Sequence, residues 1–324
     1  MKKQSSNNSK NLERFIEETK KDIEEKIREM ITDKEILSIL EGGKRLRSIL
    51  ANLTFKTCKK GKDTINHYQQ ALEGEVVIEL AHAASLVHDD IIDNDKKRRG
   101  KTSFHIKNGV ANAILTGHKM LVMGFNIALK HGKEWAKLYV NSWDNVINGE
   151  LNEVEINKNG FSKKELSSKT KIFDIYNKII DFKTAELFAS ACKAGALEAN
   201  MSEDILKIFS DYGREIGIAY QLADDLVDLE NGEIIESVIV PLLNKVNNNS
   251  IKMSSMNKRD IKKKYKKNKD EIRKLYLEEI NKHVKTAEKL SRKKSIPVSS
   301  YKKLLEEFPR FIINEMLKKI DIAI

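Results

Sequence analysis

Proline is nearly missing. Pro241, Pro297 and Pro309 are the only 3 in 324 residues, so the first 240 positions have none, and glycine is sparse at 15. These two residues punctuate strands and turns, so a sheet-rich protein is excluded and an almost entirely helical chain is predicted. Cysteine is limited to Cys58 and Cys192, 134 residues apart and without a CxxC partner. Such a pair builds no zinc site by itself and fits buried thiols in a reducing compartment. No apolar run reaches 18 residues, so no membrane-spanning helix is expected. The opening MKKQSSNNSK has no apolar core behind its lysines and does not read as a secretory signal. The expectation is a cytoplasmic protein.

What is present is charge. The net +11 is concentrated: Lys252 to Lys294 holds 17 basic against 6 acidic residues, and the remainder balances at 42 of each. A scattered nucleic-acid-binding surface is therefore not indicated, and no nucleic-acid partner is expected. Within 252–294, Ile261, Tyr265, Ile272, Leu275 and Ile280 recur at helical spacing. The lysines thus decorate solvated faces of a helix or helix pair, with weak contact to an anionic membrane surface as the alternative use.

Residues 1–10 read as a disordered polar tail and 11–324 as one all-α domain. Leu12, Phe15, Ile16, Ile23, Ile27 and Met30 mark a first helix, which a break at Gly42-Gly43 follows. The clearest period runs from Gln70 to Asn94, where Leu72, Val76, Leu80, Ala83, Val87 and Ile91 draw one apolar stripe. A charged loop is expected at 95–101. Further helices are expected near 111–130, 134–151, 169–199, 203–230 and 301–319, with turns at 231–233 and 247–250. No repeat, βαβ alternation or linker is visible, which points to one bundle of roughly ten helices.

The Gln70–Asn94 helix ends in His88-Asp89-Asp90-Ile91-Ile92-Asp93. Residues four apart share a helix face, so Asp89 and Asp93 present two carboxylates side by side, a spacing that suits Mg²⁺ with substrate phosphates. Alone, this is as readily a solvated acidic turn. It recurs 135 residues later as Asp224-Asp225-Leu226-Val227-Asp228. Acidic groups at a helix C-terminus oppose the macrodipole, and two such unfavourable sets suggest a shared ligand. Gly42-Gly43-Lys44-Arg45-Leu46-Arg47 and Arg98-Arg99-Gly100 supply cations, the second either for an anion or as charge compensation. His82 lies on the face of Ser85 and Asp89, and Lys183-Thr184 interrupts an otherwise apolar helix. Either could be structural: a satisfied core histidine, or a lysine snorkelling to solvent. Two carboxylate sets and two basic sets on a neutral scaffold ask for a substrate pair rich in phosphate.

GGKRLRS, HAASLVHDDIIDNDKKRRGKTSFH, FKTAELFASAC and YQLADDLVDLEN resemble, in order, the motifs of the trans-isoprenyl diphosphate synthases (polyprenyl synthases), over roughly residues 40–320. The resemblance implies a large all-α bundle of the isoprenoid synthase type around a deep central cavity, working as a homodimer. It further implies Mg²⁺-dependent condensation of isopentenyl diphosphate with dimethylallyl, geranyl or farnesyl diphosphate. Carried over, Asp89 and Asp93 would bind Mg²⁺ with Asp90 in support, and Asp224 would bind a further ion with Asp225 and Asp228 assisting, three ions in all. Lys44, Arg47, His82 and Arg99 match the isopentenyl diphosphate site. Arg98, Lys183, Thr184 and Gln221 match positions that contact the allylic diphosphate or face the developing cation.

Two departures stand out. DLENGEIIESVIVPLL after the second acidic motif lacks the family's lysine, and His118 stands where the family usually has aspartate. The missing lysine keeps a non-catalytic regulatory subunit among the readings. The elongating tail is expected to run past Ala84 and Ala81, small residues that offer no floor, until Met120, Met123 or Phe125 stops it. Geranylgeranyl diphosphate is the expected product, with C25–C30 or longer as the alternative. On this reading Ala84→Phe shortens the product, which sizing the chains would check.

Overall fold

The computed structural model describes residues 2–60, 62–159, 180–232 and 258–324. Residues 169–179 of the helix expected near 169–199, the turn at 247–250 and most of the segment without the lysine lie outside these. The described residues are all-α apart from one two-stranded hairpin. Twelve α-helices appear among them: α1 (Lys2–Met30), α2 (Lys34–Leu40), α3 (Leu46–Lys59), α4 (Ile65–Ile92), α5 (Phe104–Asn108), α6 (Val110–Lys130), α7 (Lys133–Asn159), α8 (Glu186–Glu198), α9 (Glu203–Glu230), α10 (Lys258–Lys267), α11 (Lys269–Ser291) and α12 (Ser300–Leu317). A π turn, Asp181–Ala185, precedes α8. None of these helices is long and apolar enough to cross a membrane.

Local chemistry sets the ends. Asp33 caps α2 by accepting from the backbone N–H groups of Glu35 and Ile36 at 2.9 and 3.2 Å, and Thr64 caps α4. Residues 2–10, expected as a tail, continue α1, because no proline or glycine stops the helix there. The charged loop at 95–101 contains a hairpin, β1 (Lys97–Arg98) against β2 (Lys101–Thr102). Arg99 and Gly100 form its turn with φ of +51° and +74°, the sign pattern of a tight type I′ hairpin.

The contacts form two units, each assembled from three separate stretches of chain. The first comprises Met1–Trp143, Leu187–Ser210 and Lys293–Leu305. Its centre is α4, which packs on α1, α2, α3, α5 and α6. The apolar stripe of α4 is buried from Leu72 to Val87, but so are Val77, Ala81 and Ala84, and even Glu75 and Glu79. This helix is enclosed nearly all round rather than on one face. Each fully buried Leu, Val or Ile in it contributes about 1.5–3 kcal/mol. Helices α3 and α8 meet backbone to backbone: a β-carbon on Gly195 would sit 2.1 Å from the carbonyl oxygen of Ala51.

The second unit comprises Asp144–Glu186, Asp211–Arg292 and Glu306–Ile324. Its core includes Tyr212, Ile216 and Leu222 of α9, Ile272, Tyr276 and Ile280 of α11, and Phe308 and Ile313 of α12. The lysine-rich segment forms the helix pair α10 and α11 as expected. Ile261 and Tyr265 are buried while Lys262, Lys263, Lys264, Lys266 and Lys267 face solvent. Lys269 and Arg273 both reach Glu230, at 2.6 and 2.8 Å. The N-terminal unit owes its α3–α8 contact to Gly195, so Gly195→Ala should cost about 1–3 kcal/mol of overpacking, read from a urea melt.

Candidate active site

The basic segment before α3 is organised by one buried side chain. Arg45 stands at the start of α3 in the left-handed region, at φ +60°, and is 3% exposed. Its guanidinium donates to Glu24 and Glu79 at 2.8 Å each and to the Leu40 carbonyl at 2.5 Å. Those carboxylates outweigh burial and raise its pKa further. Two residues on, Arg47 reaches His82 Nε2 at 3.0 Å, and its guanidinium carbon lies 4.5 Å from the Phe188 ring centre. An arginine only donates, so His82 Nε2 accepts and the imidazole proton sits on Nδ1. Burial, then the charges of Arg47, Arg99, Arg45 and Arg98, hold His82 well below the usual imidazole range.

Arg99, at the hairpin tip, donates to the Glu41 carbonyl at 3.0 Å. Its own pKa is lowered, by burial first and then by Arg45. Arg47, Arg99 and neutral His82 are thus gathered in the first unit over the bolt of Arg45. An anion bound there would relieve the mutual repulsion and accept charge-assisted bonds. Lys44 is exposed at the edge of this segment, next to the N-terminus of α3.

The first carboxylate set closes α4. Asp93 caps the helix in right-handed conformation, and its N–H donates to the Asp89 carbonyl at 2.8 Å, so the two keep the four-residue helical spacing. Asp89 is half-buried and Asp93 exposed. Asp90 is different: 3% exposed, it accepts from Arg98 Nε at 2.7 Å and from Arg98 Nη2. Asp90, expected in support of the metal pair, is turned to Arg98, because one step along a helix turns a side chain by about 100°. Arg98, expected on a diphosphate, is held by Asp90 and Asp95. Beside this set, His118 meets His88 edge-on at 5.3 Å, and burial, then His118, lowers the His88 pKa.

The second unit repeats the division. On α9, Asp224 and Asp228 are half-buried while Asp225 is 3% exposed. Asp225 accepts from Gln221 Nε2 at 3.0 Å, and Gln221 Oε1 accepts from the Thr184 hydroxyl at 2.8 Å. Lys183 and Thr184 belong to the π turn, a form frequent at functional sites. Lys183 Nζ does not snorkel outward; it bridges Glu150 and Glu153 of α7, at 3.0 and 2.8 Å. The preceding Gly149 admits this approach, since a β-carbon there would lie 2.8 Å from Phe182 Cβ. Sequence reasoning missed Glu150 and Glu153. The acidic step of three after a glycine was the available signal.

Among the described residues no three carboxylates, imidazoles or thiolates converge as a preformed metal cage. The donor sets still fit Mg²⁺, which is commonly held by one or two carboxylates with water and substrate phosphate completing the octahedron. The small residues before Asp89 have different surroundings. Ala84 is 0% exposed and packed, whereas Ala81 lines an apolar cavity with Val77, Trp135, Tyr139 and Trp143. Met120, Met123 and Phe125 are not among its walls.

His82 yields a pH test. Its folded pKa is depressed, so its contribution to stability is present above about pH 6.5 and shrinks as the pH falls below that value. Urea melts at stepwise lower pH should show the wild type losing stability relative to His82→Gln, and parallel curves would contradict the neutral assignment.

Residues 25–288 match the polyprenyl synthetase family. The geranylgeranyl diphosphate synthase of Methanosarcina mazei is 32% identical over 189 residues, 58% of this chain and 55% of that protein. The short chain isoprenyl diphosphate synthase of Methanothermobacter thermautotrophicus is 32% identical over 223 residues, 65% of this chain and 64% of that protein. The matched stretch therefore spans less than two thirds of either relative. Among solved structures, geranylgeranyl pyrophosphate synthetase from Pyrococcus horikoshii superposes with a TM-score of 0.73 at 27% identity, covering 93% of this chain and 97% of that one. That from Geoglobus acetivorans gives 0.77 at 22% identity, covering 92% and 99%. With four ordered motifs, an all-α fold and a family match over most of its length, this chain belongs to the polyprenyl synthetase family.

Proposed function

We propose that this protein is a trans-prenyltransferase that condenses isopentenyl diphosphate with an allylic diphosphate to an all-trans polyprenyl diphosphate, geranylgeranyl diphosphate being the favoured product. The observation that carries the reading is the gathering of Arg47, Arg99 and neutral His82 into one anion site built on α3, α4 and the hairpin. A diphosphate bound there presents its butenyl group as nucleophile without being activated as a leaving group.

Asp89 with Asp93, and Asp224 with Asp228, would hold Mg²⁺, three ions in all, which as Lewis acid would draw charge from the allylic diphosphate. The chain's own groups do the rest. Lys183 offers an ammonium to that diphosphate, exchanging Glu150 and Glu153 for phosphate oxygens. The Thr184–Gln221–Asp225 chain holds oxygen dipoles in place for the developing allylic cation, so no reorganisation is needed as the C–O bond breaks. The isopentenyl double bond then forms the new C–C bond, and loss of a proton to the released diphosphate restores a double bond.

A homodimer is supported by solvent-exposed apolar side chains at seven-residue steps. Leu115, Val122 and Leu129 on α6 are 65%, 59% and 50% exposed, and Val140, Ile147 and Val154 repeat the step on α7. Faces of that kind mark protein contacts, and sedimentation should find twice the 37.1 kDa chain. The location proposed is the cytoplasm. The solvated lysines of α10 leave weak contact with an anionic lipid surface as an added property, which salt-sensitive vesicle pelleting reads.

Product length is proposed to depend on Ala81 and the rings of Trp135, Tyr139 and Trp143 rather than on Ala84. Ala81→Phe should shorten the product, whereas Ala84→Phe should mainly destabilise the fold. The direct test supplies Mg²⁺, isopentenyl diphosphate and each allylic primer, with products sized. Asp89→Ala and Asp224→Ala should each cut turnover by orders of magnitude. Near-normal rates in either would refute its metal role, and an inactive wild type would favour the regulatory-subunit reading.

A further inference from the structure

The π turn is an unusual way to present two side chains. Over Asp181–Ala185 the backbone adopts i→i+5 bonding, and the Glu186 N–H donates to the Asp181 carbonyl. That register brings residues 181 and 186 close to the same side, where an α-helix would point them about 140° apart. One side chain occupies that side. Arg214 of α9 donates through Nη1 to Asp181 and through Nη2 to Glu186, the latter at 2.8 Å. Seven residues along α9, on the same face, Gln221 takes the Thr184 hydroxyl from the middle of the turn. The turn is therefore gripped by its ends and its centre from one helix, while Gly149 lets α7 close on Phe182 and Lys183 from another.

Nothing local favours this conformation. DFKTAELF has no glycine or proline to disrupt an α-helix, and single-turn π segments are rare. Relaxation to α would shift the register by one residue and swing Lys183 and Thr184 by about 100° relative to α8. Burial disfavours the guanidinium charge, but Asp181 and Glu186 outweigh it and raise the Arg214 pKa, so the guanidinium stays charged.

We infer that Arg214 is a positioning residue: by bridging Asp181 and Glu186 it holds the π turn and so sets where Lys183 and Thr184 meet the allylic diphosphate. The part concerning substrate rests on the proposed prenyl transfer; the clamp itself does not.

The test uses the full chain. In steady-state kinetics with Mg²⁺, Arg214→Ala should lower kcat at least about tenfold and raise KM for the allylic diphosphate about fivefold, leaving KM for isopentenyl diphosphate within about twofold. Arg214→Lys should recover part of the loss, because one ammonium can hold one carboxylate but not fork to both. A residue that merely stabilised the fold would reduce the active fraction and leave both KM values unchanged, which would overturn the inference. Amide hydrogen exchange over 180–190, which needs no activity, should quicken in Arg214→Ala and stay unchanged in the remainder of α8. Unaltered exchange would sink the clamp even if the wild type proved inactive. Should Arg214→Ala fail to fold, Glu186→Gln and Asp181→Asn each loosen one end and carry the same two readouts.

Discussion

A guanidinium sealed inside the protein is tolerable only when its donors are met, and Arg45 is the charge on which the N-terminal unit depends. Its partners come from α1, from the end of α2 and from α4, so one side chain ties three helices to the start of a fourth. Stripping a partner from a buried ion pair of this sort costs about 3–5 kcal/mol, a large part of the roughly 5–15 kcal/mol that separates folded from unfolded. Arg45 is thereby committed to the fold. Arg47, inside the first turn of α3, is aimed at His82. The proposed anion site thus rests on an arginine whose own donors are taken up by the fold.

Both acidic motifs show the same separation of duties. In each Asp-Asp-x-x-Asp run the first and fifth aspartates stay accessible, while the second turns inward to hold a neighbour: Asp90 holds Arg98, and Asp225 holds Gln221. The helical turn makes this unavoidable, since consecutive residues cannot share a face. A single motif therefore encodes both an accessible carboxylate pair and a buried one that holds a neighbour.

Much of this was legible. The span 203–230 emerges with the bounds read from its apolar period, and the lysine segment forms helices because Ile261 and Tyr265 recur one turn apart. Misreadings arose where burial depends on what packs nearby. The stripe of α4 suggested one covered face, yet five neighbouring helices enclose it. Ala84 looked like a small residue beside an open path and is packed. Glu150 and Glu153 went unnoticed and hold Lys183.

Local spacing alone determined that the chain is helical, that carboxylates fall in pairs four apart, and that cations cluster before α3 and after α4. These follow from 3.6 residues per turn and from the absence of residues that break helices. Tertiary structure decided which member of each cluster is sealed and which stays open. It also decided that five residues before α8 take a π turn, because a distant arginine, unseen in any local window, lies where it can grip both ends.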